Sequence, residues 1–539
     1  MIERRISRTE WLATLAFCVA LSATAVTWSW RHDAMLNYGD AVAHLHIARR
    51  VFDAHFPGLK QLGSVWLPLP HLLLIPFVAV YGWWANGFAG VIPSALAYVA
   101  GCAGIYRLAR QWLEPAAAAM SLAFFAANAN LLYLQTTAMT EPLFLCELIW
   151  CVVWLVEWRR GLDTEPRQTG RLLWRIAIAL VAAIFTRYDG WILALLAWTG
   201  VGLTLLRRGE LRSRTFWIAS AVVVAAPLTW LMYNALVFGD WLDFARGPYS
   251  AKAIEIRTAT PGSGPPHPGW HNPWVSLIFF VKTGEMDATA LAWGNKVLTL
   301  SVLGTLGGWL ALRRDAFAWS LLLWLPVPFY AYSIAYGSVP IFLPVWWPHS
   351  WYNTRYGMEM LPGLAVGLGM MAQLVIGAVR EFKVTWTRYA IGLLCVLAAW
   401  NAWKVLSEEP LTYVESMKNV ESRRPLEDEI APLLRMLLKD RPGGMVLMKT
   451  SVFPQIVART GIPLRQTINE SDRWMYTDAL AEPAEHAAIA VAFEGDDVDR
   501  AVKAHPAGLR LVRRFSFSEE PAASVYVSDT SSLNKATTR

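Results

Sequence analysis

Cysteine is scarce in this chain. Cys18, Cys102, Cys146, Cys151 and Cys395 are the only five in 539 residues, each lies inside an apolar run, and no two form a CxxC pair. A disulfide framework and a thiolate zinc site are therefore not indicated, and the five read as small core side chains. Charge is scarce as well: 17% of residues are Asp, Glu, Lys or Arg against 55% hydrophobic, far from the usage of soluble domains. No internal repeat of fixed period is visible. The net charge of +7 sits mostly in short basic clusters between apolar runs. There it sets membrane orientation, which argues against nucleic acid as a partner.

What the chain has in quantity is apolar sequence in blocks of about 20 residues, the length that crosses a bilayer core as a helix. Spans are expected at roughly 11–30, 86–108, 114–135, 142–158, 172–187, 191–207, 215–237, 291–312, 316–336, 357–379 and 387–405. Ala23-Thr24-Ala25 offers a signal-peptide cleavage pattern, but the first run is long for an h-region and many spans follow, so it reads as a retained helix. With the N-terminus in the cytoplasm, Arg107 and Arg110, Arg159 and Arg160, Arg207 to Arg214, Arg313 and Arg314, and Arg380 to Lys383 all fall inside. Leu67 to Trp84 is apolar but broken by prolines, and counting it as a span would move every later basic loop outside. It reads as an interfacial or re-entrant helix.

The fold class expected is an α-helical polytopic membrane protein of about 11 spans with a small C-terminal α/β extracytoplasmic domain. Residues 1–405 form the membrane part and 406–539 the outer domain, where GGMVLMKT, AAIAVAF and ASVYVSD read as strands among helical patterns. The loop from Phe238 to about Ala290 contains PGSGPPHPGWHNPW, too rich in Pro and Gly for a helix or central strand, and reads as a lid.

Ionisable residues then collect on the outer side. GDAVAHLHIARRVFD, from Gly39, fits an amphipathic helix that buries Ala41, Leu45, Ala48 and Phe52 and wets His46, Arg49, Arg50 and Asp53. Asp40 at its start is either the helix N-cap or a working carboxylate. His44 follows one turn later, a spacing that suits a shared metal or a hydrogen-bonded pair as well as a core histidine. TAMTEPLF carries Glu141, FTRYDGW carries Arg187, Tyr188 and Asp189, and WYNTRYGMEMLPGL carries Arg355, Tyr356 and Glu359. Charges at membrane depth are functional candidates by default, with internal salt bridging as the plain alternative. Most of the 29 tryptophans form an interfacial belt, and Trp66 is among those placed to stack on a sugar face.

In this order along the chain, these motifs resemble the GT-C glycosyltransferases, in particular the aminoarabinose transferase and protein O-mannosyltransferase group. GDAVAHLHIARRVFD is similar to the family's acidic outer loop, with Asp40 in the acidic position and Ala41 where a second acid is common. That difference leaves a divalent-metal requirement open, and no metal ligands are assigned. WLPLPHLLLIPF resembles the family's Lys-Pro-Pro-Leu stretch without its lysine, so Lys60 or His71 stands in for the phosphate contact. MTEPLF, TRYDGW and NTRYGMEMLPGLA match later segments of the family.

The resemblance implies transfer of a sugar from a polyprenyl-phosphate donor to a lipid, glycan or protein acceptor, at the outer face of the cell's inner membrane. Asp40 would be the general base. Arg355 first, then Arg187, Lys60 and His71, would receive the donor phosphate, and His44, Glu141, Tyr188, Asp189, Trp66 and Tyr356 would contact substrate. A lipid or sugar transporter or flippase, a polysaccharide ligase or polymerase, and a binding module on a membrane anchor are the rival readings.

Overall fold

The computed structural model describes residues 6–258, 265–312, 314–451, 453–517 and 520–529. Arg313 and the start of the PGSGPPHPGW stretch lie outside the described residues. The chain divides into two compact units.

The first unit comprises Met1–His32, Ser64–Pro70 and Val91–Glu415. Eight of its described helical segments are long and apolar enough to cross a membrane: Arg8–Arg31, Phe88–Ala109, Arg167–Thr186, Asp189–Arg207, Arg214–Phe238, Ala318–Tyr336, Thr354–Phe382 and Val384–Glu421, the last ending in the second unit. The other three expected spans are helical too, but each departs from a simple apolar rod. The expected 114–135 block is Pro115–Ala126 and Ala129–Leu134, divided where the Asn128 side chain accepts from Leu131 N at 3.0 Å and caps a new helix. Glu141–Thr164 carries Glu147, Glu157, Arg159 and Asp163, and Gly294–Ala311 is 18 residues long. The first helix starts from a capping box between Ser7 and Glu10.

Within this unit Gly294–Ala311 crosses Leu361–Phe382 at glycine positions. A Cβ on Gly304 would stand 2.0 Å from the Gly367 carbonyl oxygen. The outer loop is more helical than its composition suggests: Asp243–Arg246, Ala251–Thr258 and Pro273–Ala288 are helices, the last capped by Asn272.

The second unit comprises Asp33–Gly63, His71–Gly90 and Ser416–Arg539. It differs from the expected boundary at 405, because two N-terminal segments pack with the C-terminal residues and 406–415 pack with the first unit. Its sheet has strands β1 (Val446–Met448), β2 (Thr467–Ile468), β3 (Ile489–Phe493), β4 (Leu509–Phe515) and β5 (Ala523–Ser528), in the order β2-β1-β3-β5-β4. β1 runs parallel to β2 and β3, and β5 runs antiparallel to β3 and β4. Leu447, Ile468, Ala490 and Ala492 from the sheet pack with Val498 and Val502 of the helix Asp497–Ala504. The proline-broken block is the helix Pro68–Val78, whose prolines at 68 and 70 need no first-turn amide partner, followed by Tyr81–Asn86. Eleven residues give a rod of about 16 Å, too short to cross a bilayer.

Candidate functional site

In the first unit, four helix ends bring a buried acid–base network together. Glu141 opens Glu141–Thr164, Arg187 ends Pro166–Thr186, Asp189 opens Asp189–Arg207, and Arg355 to Glu359 form the 3-10 turn Thr354–Met360. Arg187 uses all three guanidinium nitrogens: Nε to Asp189 at 3.4 Å, Nη1 to Glu141 at 3.4 Å, and Nη2 to Glu359 at 3.1 Å. Its Nη2 also donates to the Tyr330 hydroxyl at 2.6 Å, and that hydroxyl donates to Glu359 at 2.8 Å. Arg355 bridges Glu141 and Glu415, each at 3.1 Å. Both guanidinium carbons lie over the Tyr356 ring, at 5.1 and 5.0 Å from its centre.

Asp287, at the end of Pro273–Ala288, packs its carboxyl against this network. A Cβ on Gly357 would meet its Oδ2 at 2.5 Å. Its carbonyl accepts from the Asn128 and Asn130 side chains at 2.8 and 2.9 Å, which fixes the helix end. The five carboxyl groups, Glu141, Asp189, Asp287, Glu359 and Glu415, are each at most 4% exposed. Such charges are tolerated only when paired or neutralised.

The second unit holds a different set. Asp40 lies in the first turn of Gly39–Arg50 and is half-buried; the N-cap is Tyr38, so Asp40 is not the capping residue. His44 Nδ1 and His71 Nε2 share a 2.8 Å hydrogen bond, and both rings are buried. Lys60 is exposed, its ammonium 5.3 Å from the Phe56 ring centre.

The helix is not amphipathic in the expected sense: His46, Arg49 and Asp53 are buried while Phe52 is exposed. Arg49 donates to Asp53 at 2.8 Å and to the Val78 carbonyl at 2.7 Å, with Trp84 4.5 Å beneath its guanidinium. Asp53 in turn accepts from the amides of Leu464 and Arg465 at 3.2 and 3.3 Å. Partners from distant sequence thus replace water on the face expected to be wet.

Of the expected site residues, Glu141, Arg187, Asp189, Arg355 and Tyr356 meet in the first unit, and Asp40, Lys60, His44 and His71 belong to the second. Trp66 is half-buried in the first unit. Tyr188 turns its hydroxyl to the Val65 carbonyl at 2.8 Å and stacks on Phe244. Both arginines expected to face a phosphate are already engaged by carboxylates, the plain alternative read from sequence. Sequence reasoning missed Tyr330, Asp287 and Glu415. Tyr330 sits in an apolar run that gives no polar signal, and the acids of KTGEMDA and TYVESM read like those of any solvated helix. Among the described residues no group of three or more His, Cys, Asp or Glu is placed to hold a metal ion.

Membrane-length helices, the polar network at their ends and the α/β sheet define a fold, and solved structures share it. The chain is similar to ArnT from Cupriavidus metallidurans bound to undecaprenyl phosphate, with a TM-score of 0.55, 14% identity, and 97% of this chain and 99% of that chain covered. ArnT in the apo state gives the same TM-score and identity, covering 94% and 97%. A looser likeness, TM-score 0.48 at 11% identity, is to the apo oligosaccharyltransferase of Archaeoglobus fulgidus, covering 90% of this chain and 70% of that one. No family model matches the sequence, and no curated protein matches it.

Proposed function

We propose that the chain is an inverting glycosyltransferase that moves a sugar from a polyprenyl-phosphate donor to an acceptor at the outer face of the inner membrane. The observation that carries this reading is the end-to-end likeness in fold to ArnT, whose structure holds undecaprenyl phosphate. In the reaction, the Asp40 carboxylate takes the proton of the acceptor hydroxyl as its oxygen bonds to the anomeric carbon. The bond from that carbon to the phosphate oxygen breaks, and its electron pair leaves on the lipid phosphate. Cations stabilise that charge. Lys60, exposed and bearing no carboxylate partner among the described ion pairs, is ready for this role, whereas Arg187 and Arg355 must first release a carboxylate. His71, hydrogen-bonded to His44, is the remaining candidate contact.

The test is to incubate the purified chain in lipid nanodiscs with a panel of polyprenyl-phosphate sugars and acceptors, measuring released polyprenyl phosphate and transferred sugar. Release coupled to transfer from one donor is expected. Movement of a labelled lipid across a vesicle bilayer with no bond broken would replace this reading with the transporter.

A further inference from the structure

We infer that the buried network of Glu141, Arg187, Asp189, Arg355, Glu359 and Glu415 is a proton-binding site that takes up a proton when a lipid-linked phosphate diester binds. The inference rests on the proposed role of Arg187 or Arg355 in receiving the donor phosphate.

The charge balance carries the argument. With Asp287 against the network, five carboxyl groups face two guanidinium groups, an excess of three acids in a region from which water is nearly excluded. Glu147 lies beyond Asp189, bonded to Thr186, and Tyr330 adds a hydroxyl. A phosphate arriving at Arg187 would displace a carboxylate and add its own negative charge. Breaking a buried ion pair leaves an uncompensated charge that costs several kcal/mol, about 3–5. Neutralising the displaced carboxylate removes that cost.

The chemistry of the site points to the proton as the neutralising cation. The cavity beside Asp189 and Glu359 is about 10 Å³, space for about one water. Four carboxyl oxygens of the network and Asp287 are buried without a hydrogen-bond partner among the described residues: Glu141 Oε2, Glu359 Oε2 and both oxygens of Asp287. Burial first, then Glu415 and Glu141, push the Asp287 carboxyl well above the usual carboxylate range. That favours the neutral form of Asp287. Glu359, which lines the cavity and pairs with Arg187, takes the arriving proton.

The probe is a short-chain polyprenyl phosphoryl-sugar diester, which has no group titrating near neutrality. Its binding to the full chain is measured by calorimetry in buffers of different ionisation enthalpy. Uptake of about one proton per lipid is expected, with affinity rising up to roughly tenfold per pH unit as pH falls. Glu359→Gln should bind the diester without that uptake and with a flat pH profile. Should that variant fail to fold, infrared difference spectra of the unmodified chain serve instead, and should gain a protonated-carboxyl band on binding. Tight binding with no proton uptake at any pH overturns the inference and leaves the proposed function standing. No binding of any polyprenyl diester removes the donor reading beneath it and the inference with it.

Discussion

Asp40 lies in the first turn of Gly39–Arg50, whose N-cap is Tyr38, so it is not the capping residue. Asp40→Asn keeps shape and polarity and removes basicity. Transfer should fall about 10²- to 10⁴-fold, the usual contribution of a general base, with an unchanged melting temperature; a lower melting temperature at normal turnover per folded molecule would make Asp40 structural. His46 offers a pH test in the second unit. Burial, partly offset by its bond to the Val42 carbonyl and reinforced by Arg50, lowers its pKa to about 4. The unfolded chain binds this proton near pH 6.5, so stability is intact above that value and drains away as pH falls toward 4, by about 3 kcal/mol in all. Melting curves of the native chain and His46→Gln should therefore converge above pH 6.5, and the native chain should lose more below it. Neither the burial of His46 nor that of Arg49 was legible in sequence. Asp53 finds the Leu464 and Arg465 amides some 400 positions away, and helical periodicity carries no trace of a partner that remote.

Elements were more legible than their surroundings, because bilayer thickness writes itself into run length. The expected strands in GGMVLMKT, AAIAVAF and ASVYVSD are β1, β3 and β5. β2 has two residues, too few for any pattern, and β4 spaces arginines through LRLVRRF as an exposed edge strand does. The break at Asn128 was hidden because its capping partner is a backbone amide within an apolar run. Helix packing depends on details that run length does not encode. At the crossing of Gly294–Ala311 with Leu361–Phe382, a methyl group on Gly367 would stand 2.3 Å from the Ser301 carbonyl oxygen, and backbone cannot step aside as a side chain can. Gly367→Ala should therefore destabilise the protein by about 1–3 kcal/mol, seen as earlier thermal unfolding in detergent. Unfolding at the native temperature would mean that the two helices do not approach this closely.

At the scale of the whole membrane unit, polar contacts decide how many helices cross. A crossing displaces the chain by about 30 Å, so two residues in hydrogen-bond contact lie on the same side and enclose an even number of crossings. Ser29 bonds Thr136 at 2.7 Å, so Phe88–Ala109 needs one returning partner, the 115–134 segment. Arg187 pairs with Glu141, so Glu141–Thr164 must cross with Pro166–Thr186. Arg187 also pairs with Glu359, so Gly294–Ala311 must join Asp189–Arg207, Arg214–Phe238 and Ala318–Tyr336. Arg355 pairs with Glu415, which returns the chain to the same side after two more helices. Eight apolar crossings become 11, the number that places the basic loops together. Lys383 should then face the cytoplasm and Glu409 the outside. On a Cys395→Ser background, Glu409→Cys should react with an impermeant maleimide in intact spheroplasts, and Lys383→Cys only after permeabilisation. Labelling of Lys383→Cys from outside would require that only eight helices cross, and would separate Arg187 from Glu359 by a bilayer.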